Sequence, residues 1–360
     1  MIEKLTYQNE RYTKMKILHI DRASWDKGVL ASAETYQLTG PVKEKDFYEF
    51  KDLKKGEMPD MSGSDTRLSP KALVFPKSEV MITFSTDPND PECNIMKETK
   101  KEYPKRVVIG IRPYDARALQ LLKLNFDNGD YQDPYFLKAY DAITFVGLAV
   151  NQPSATDFST SCGTGPFDEK GLDVLLVDAG EEGDYYAKIL TPKGEAWAKA
   201  ANFTKEAGSD AATRIEAMKK AAEDQIVSKI AFDKIAKKTI LELFEADHWE
   251  STAFACINCG TCTYACPTCW CFDIQDENFG TKGVRIKNWD SCMTGLFTMH
   301  GSGHNPRQYP YQRTRQRFMH KLKYFTDKYD QGIMCVGCGR CVRQCPANID
   351  IREICETMNK

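Results

Sequence analysis

The sequence predicts two unlike halves: an α/β or α+β N-terminal domain, residues 1–203, and a mostly α-helical C-terminal domain, residues 251–360, joined by a helical connector, residues 204–250. Three observations predict it. Short apolar, β-branched runs recur between turn residues from about residue 70 to 200. Helical spacing takes over after residue 204, and twelve of the fourteen cysteines, all except Cys93 and Cys162, follow residue 255. At 360 residues the chain can bury a core without covalent staples, so its cysteines call for a chemical explanation. Their crowding into one region builds sites, and free thiols indicate a reducing compartment.

The N-terminal half reads as strand, turn and helix. "KALVFPKSEVMITF", "KRVVIGI", "AITFVGLAV" and "LDVLLVD" have the composition of buried strands. After "KRVVIGI" comes "RPYDARALQLLKL", where Asp115 is placed to cap a helix with Ala118, Leu119 and Leu122 on one side. In the connector, Ile215, Met218, Ala222 and Ile226, then Ile235, Ile240, Leu241 and Phe244, predict two packing helices with a break near Phe232 and Asp233. The first residues show no continuous apolar stretch that could serve as a signal sequence or cross a bilayer, which predicts a cytoplasmic protein. A formal net charge of -2 argues against nucleic-acid binding by overall field.

The strongest signal is a motif present twice, C-x2-C-x2-C-x3-C-P, at Cys256, Cys259, Cys262, Cys266 and at Cys335, Cys338, Cys341, Cys345. Three cysteines at this spacing wrap one [4Fe–4S] cube, while the fourth, beside proline, completes the other cluster. Cys256, Cys259, Cys262 and Cys345 would thus hold one cluster, and Cys335, Cys338, Cys341 and Cys266 its neighbour. Zinc prefers paired C-x2-C elements and has no use for this pattern. The 68 residues between Cys266 and Cys335, with Phe318, Leu322 and Phe325 on one helical face, favour a helical ferredoxin-like domain. In that respect it resembles the C-terminal half of succinate dehydrogenase iron–sulfur subunits.

Three thiols stand outside this set: Cys269, Cys271 and Cys292. They could form a third iron–sulfur cluster or a zinc site, with a fourth ligand from Asp290, His300, His304 or an incoming group. A labile Cys269/Cys271 disulfide and plain packing are the alternatives. Cys93, Cys162 and Cys355 are expected to be packing thiols, and "SCGTGP" around Cys162 a turn. Residues 282–330 carry ten Lys or Arg against three Asp. That excess either raises the potential of nearby clusters and seats an anionic partner, or is a solvated helix face.

With these residues in place, the chain resembles the dicluster electron-transfer subunits of anaerobic sulfite reductases and the β subunits of cytoplasmic sulfhydrogenases. The resemblance is carried by "CINCGTCTYACPTCWCFD", "NWDSCM", "GHNPR", "RTRQRFMHK" and "CVGCGRCVRQCPANIDI", and more loosely by "SPKALVFPKSEVMITF" and "IGIRPYDARAL". Tyr114 stands where members of that family often carry a cysteine. The resemblance implies an electron-transfer subunit. Its partners would be a flavin- and [2Fe–2S]-containing subunit that oxidises NAD(P)H and a terminal oxidoreductase of hydrogenase, sulfite reductase or heterodisulfide-reductase type. The rival expectation makes the chain itself a disulfide- or sulfur-oxyanion-reducing enzyme, acting through Cys269, Cys271 and Cys292.

Overall fold

The computed structural model describes residues 16–63, 65–180 and 184–360. The N-terminal stretch read for a signal sequence therefore lies largely outside the described residues. Among the described residues no helix is long and apolar enough to cross a membrane.

The chain opens with β1 (Lys16–Ile20), α1 (Arg22–Ser32), β2 (Gln37–Lys43) and β3 (Tyr48–Asp52). It continues through β4 (Ser78–Ser85), β5 (Lys97–Glu98), β6 (Arg106–Ile111), α2 (Pro113–Phe126), α3 (Pro134–Ala142) and β7 (Ile143–Leu148). Next come β8 (Val174–Asp178), β9 (Tyr185–Ile189) and α4 (Pro192–Ala200). Seven of these strands form one mixed sheet in the order β1-β9-β8-β7-β6-β2-β3, parallel through β2, β6, β7 and β8.

Both faces of this sheet are covered. Trp25 and Trp197, from α1 and α4, pack on one face with Val107 and Ile109. Leu119 and Leu122 from α2 and Phe136 from α3 pack on the other with Val108 and Ile111. Side chains alternate along a strand, and the left-handed Gly110, at φ 79°, interrupts that alternation. Its bulge puts Ile111 on the same side as Val108, at the strand end that leads to α2.

Asp115 does not cap α2 as the sequence suggested. The helix starts at Pro113, whose fixed φ suits the first helical position. Asp115 lies within the helix's first turn, fully buried, and takes two guanidinium contacts from Arg340 at 2.5 and 2.8 Å.

The connector also departs from expectation. Instead of two helices it forms α5 (Ala211–Asp224), an irregular stretch, and three short helices, α6 (Asp233–Lys237), α7 (Ile240–Phe244) and α8 (His248–Ala253). Ile215 and Ala222 are buried as their spacing predicts, but Ile240 and Leu241 are exposed. The predicted break at Phe232 and Asp233 is where α6 begins.

The C-terminal part is largely helical: α9 (Thr261–Tyr264), then α10 (Pro310–Met319), a π-helical turn at His320–Tyr324 and α11 (Phe325–Tyr329), followed by α12 (Arg340–Arg343) and α13 (Ile351–Asn359). It also contains a hairpin of β10 (Phe272–Phe279) and β11 (Lys282–Trp289), between α9 and α10, that the helical reading missed. This hairpin joins the N-terminal β4 and β5 in a second sheet, ordered β10-β11-β4-β5. Phe325, Met334 and Val336 pack into the same core as α2 and α3. The two halves are thus built against each other.

Candidate iron–sulfur centres

Both cysteine motifs fold alike. Asn258 and Gly260 in the first, and Gly337 and Gly339 in the second, take left-handed conformations at matching positions, and α9 and α12 start at the residue after Gly260 and Gly339. The second loop requires glycine for a further reason. A Cβ on Gly337 would stand 2.5 Å from the backbone of Ser159, and one on Gly339 2.5 Å from the carbonyl oxygen of Thr156. The loop therefore lies directly on the N-terminal half.

The motif cysteines gather in two cavities. One is lined by Cys256, Cys259, Cys262 and Cys345, and also by Cys341. The other is lined by Cys266, Cys335, Cys338 and Cys341. In each case the proline-linked cysteine of one motif meets the first three of the other. Ile349 N–H donates to Cys345 Sγ at 3.3 Å.

The helix 310–329 borders both cavities. Thr314 and Phe318 face the first, Lys321 the second, and Arg317 both. Lys321 Nζ donates to Cys266 Sγ at 3.1 Å and to Thr268 Oγ1 at 2.8 Å. Burial disfavours its charge, but the thiols of Cys266, Cys269 and Cys335 outweigh this and hold its ammonium above the ordinary value. Lys71, from the N-terminal half, donates to the carbonyls of Cys266 and Cys269 at 3.0 and 2.9 Å. Burial pushes Lys71 down to about 8, against the pull of Cys269, Cys266 and Cys271. Among the described residues, Lys71, Arg317 and Lys321 have no carboxylate partner, although all three are buried. Buried cations are costly unless an anion accompanies them.

These features fit two anionic iron–sulfur cubes. The donors are thiols, each cavity is lined by the first three cysteines of one motif with the proline-linked cysteine of the other, and buried cations without carboxylate partners surround them. Two buried polar atoms on the wall of the first cavity, Thr314 Oγ1 and Arg317 Nε, also have no hydrogen-bond partner among the described residues. Sulfur atoms of a cube accept such bonds.

Cys269, Cys271 and Cys292 line a third cavity with Arg317, His320 and Lys321. The neighbouring Cys292 and Lys321 draw the Cys271 thiol down to about 7, while Cys271 and burial push Cys292 up. Every described cysteine is a free thiol, Cys269 and Cys271 included. Of the fourth ligands suggested from sequence, Asp290 lies beside Cys271 but is not on the cavity wall and accepts from Ser291 N–H, and His300 and His304 face each other at 5.3 Å in an exposed loop. No three Cys, His, Asp or Glu side chains among the described residues are placed to hold a single metal ion.

Sequence reasoning missed Lys71, His320 and the Arg340–Asp115 pair. No local pattern marks these residues, since each reaches the site across the fold. Cys162 packs against the C-terminal core, as expected, and burial, with Cys335 beside it, raises its pKa well above the thiol range. The basic segment divides: Arg317 and Lys321 face the thiols, whereas Lys287 pairs with Glu79 and Asp133, and Lys323 with Asp327.

The fold and site define an iron–sulfur electron-transfer protein, and residues 255–349 match a 4Fe-4S dicluster domain, which carries two [4Fe–4S] clusters. The chain is a homologue of the sulfhydrogenase 2 subunit beta of Pyrococcus furiosus, 28% identical over 325 residues that cover 88% of this chain and 90% of that subunit. No solved structure matches it.

Proposed function

We propose that this chain is the electron-transfer subunit of a cytoplasmic multi-subunit oxidoreductase. It would connect a flavin- and [2Fe–2S]-containing subunit that oxidises NAD(P)H to a terminal hydrogenase or reductase. Cys256, Cys259, Cys262 and Cys345 would hold the first cluster, and Cys335, Cys338, Cys341 and Cys266 the second. The clusters, when bound, accept and release single electrons. The protein's residues do the rest. The cysteines ligate, and Arg317 and Lys321 compensate negative charge.

The observation that carries this reading is the pair of adjacent four-cysteine cavities, with Arg317 and Cys341 common to their walls. The first lies near the surface. Cys259 is exposed, and Phe254 and Ile257 beside it are 92% and 67% exposed, as suits a face where a protein partner approaches. Residues 1–203 would serve as the docking and supporting domain. The rival reading, a substrate-reducing centre at Cys269, Cys271 and Cys292, is less well supported, because Cys292 is only 6% exposed.

Cys266→Ser in anoxically purified protein tests the crossed ligation. Electron paramagnetic resonance should show the second cluster altered and the first intact. A change confined to the cluster of Cys256, Cys259 and Cys262 would refute the assignment.

A further inference from the structure

The hairpin β10–β11 sits directly between two of the three surplus thiols. Phe272 pairs with Trp289, and Asp290 N–H donates to the Cys271 carbonyl at 2.9 Å, so its closed base holds Cys271 and Cys292 side by side. Lys71 Nζ fixes the carbonyl of Cys269 from the other side. Packing alone does not require three cysteines to converge on one cavity in this way.

That cavity is as tight and as enclosed as the one lined by Cys266, Cys335, Cys338 and Cys341. A lone zinc ion needs all its donors about 2.3 Å from one point, and no three ligand-type side chains among the described residues are so placed. The eight motif cysteines share that spread, as donors around a polynuclear cluster must. The walls are cationic: Arg317 and Lys321 line this cavity too, and Lys71 donates to the carbonyl of one of its cysteines. His320 is the remaining ligand-type side chain on the wall. The π-helical turn begins at His320, whose ring packs on Trp270 at 4.6 Å. Such turns inside helices are frequent at functional sites.

We propose that Cys269, Cys271 and Cys292, with the His320 imidazole as fourth ligand, hold a third [4Fe–4S] cluster next to the second. Thr268, Arg317 and Lys321 line both the second and third cavities, so the third adjoins the second. This inference rests on the two-cluster reading and deepens it: the relay would have three members.

The test is metal and sulfide analysis of the full chain purified without oxygen, with electron paramagnetic resonance of the reduced protein. About twelve irons with matching sulfide are expected, where two cubes alone require about eight. Cys292→Ala and Cys271→Ala should each lose about four irons while the signals of the other two clusters persist. His320→Gln should change the third cluster's spectrum and leave theirs unchanged. A wild-type content of about eight irons overturns the inference and leaves the two-cluster reading standing, and needs no variant to fold. Zinc near one per chain beside those irons also overturns it, as does undiminished iron in the Cys271→Ala/Cys292→Ala double variant. Zinc in place of iron overturns both readings.

Discussion

Replacing Lys321 by methionine tests whether the buried cations tune the clusters. The side chain keeps its length and loses the charge that stands 3.1 Å from Cys266 Sγ. At an effective dielectric of about 20, unit charges at that separation interact with roughly 5 kcal/mol. Reduction spreads its electron over a whole cube, so about a quarter of this, ~1.4 kcal/mol, bears on the couple, or about 60 mV for one electron. The reduced cluster is the more anionic, so losing the cation lowers its potential. Anoxic redox titration followed by electron paramagnetic resonance should therefore show the second cluster about 60 mV more negative in Lys321→Met, with Lys321→Arg close to wild type. The first cluster should hold its potential, since Lys321 does not line its cavity. A second-cluster shift below about 20 mV, or an equal shift in both clusters, would refute the reasoning.

Four further outcomes are expected. Arg317→Met should lower the potentials of both clusters in the same titration, because its guanidinium faces both cavities. Arg340→Met leaves Asp115 buried without its partner and should cost about 3–5 kcal/mol in anoxic guanidinium unfolding; Arg340→Met/Asp115→Leu should recover much of that. Gly337→Ala puts a Cβ against the Ser159 backbone at a φ of 68° and should deplete the second cluster, read as iron lost per chain. His248 is held below its ordinary value of 6.5 by partial burial and by Lys238. The unfolded chain then takes up a proton more readily than the folded one, so stability falls as pH drops through 6.5 towards the depressed value. Melting temperatures at about pH 7.5 and about pH 5.5 should differ less in His248→Gln than in wild type.

The repeated motif made the metal chemistry legible without any structure, because cube ligation imposes a spacing within one short loop. The strands of the first sheet were legible for a similar reason: Val107, Val108, Ile109 and Ile111 carry their burial in their own composition. The connector was less so. Ile240 and Leu241 have helical spacing but face solvent, since periodicity shows an apolar face and not whether a neighbour covers it.

Other features depend on residues far apart in sequence. Asp115 looks like a helix cap locally, yet becomes the buried counter-ion of Arg340 because α2 packs under the second cysteine loop. Lys71 reaches Cys269 across 198 positions of sequence. Cys271 and Cys292 meet only because β10 and β11 pair, and β11 in turn pairs with β4 in the other half. The sequence by itself determined which atoms could bind iron, since that is a matter of side-chain type and short-range spacing. Only the tertiary structure decided which cations accompany them and whether the surplus thiols converge, because charge compensation and cavity shape arise when distant segments exclude water together.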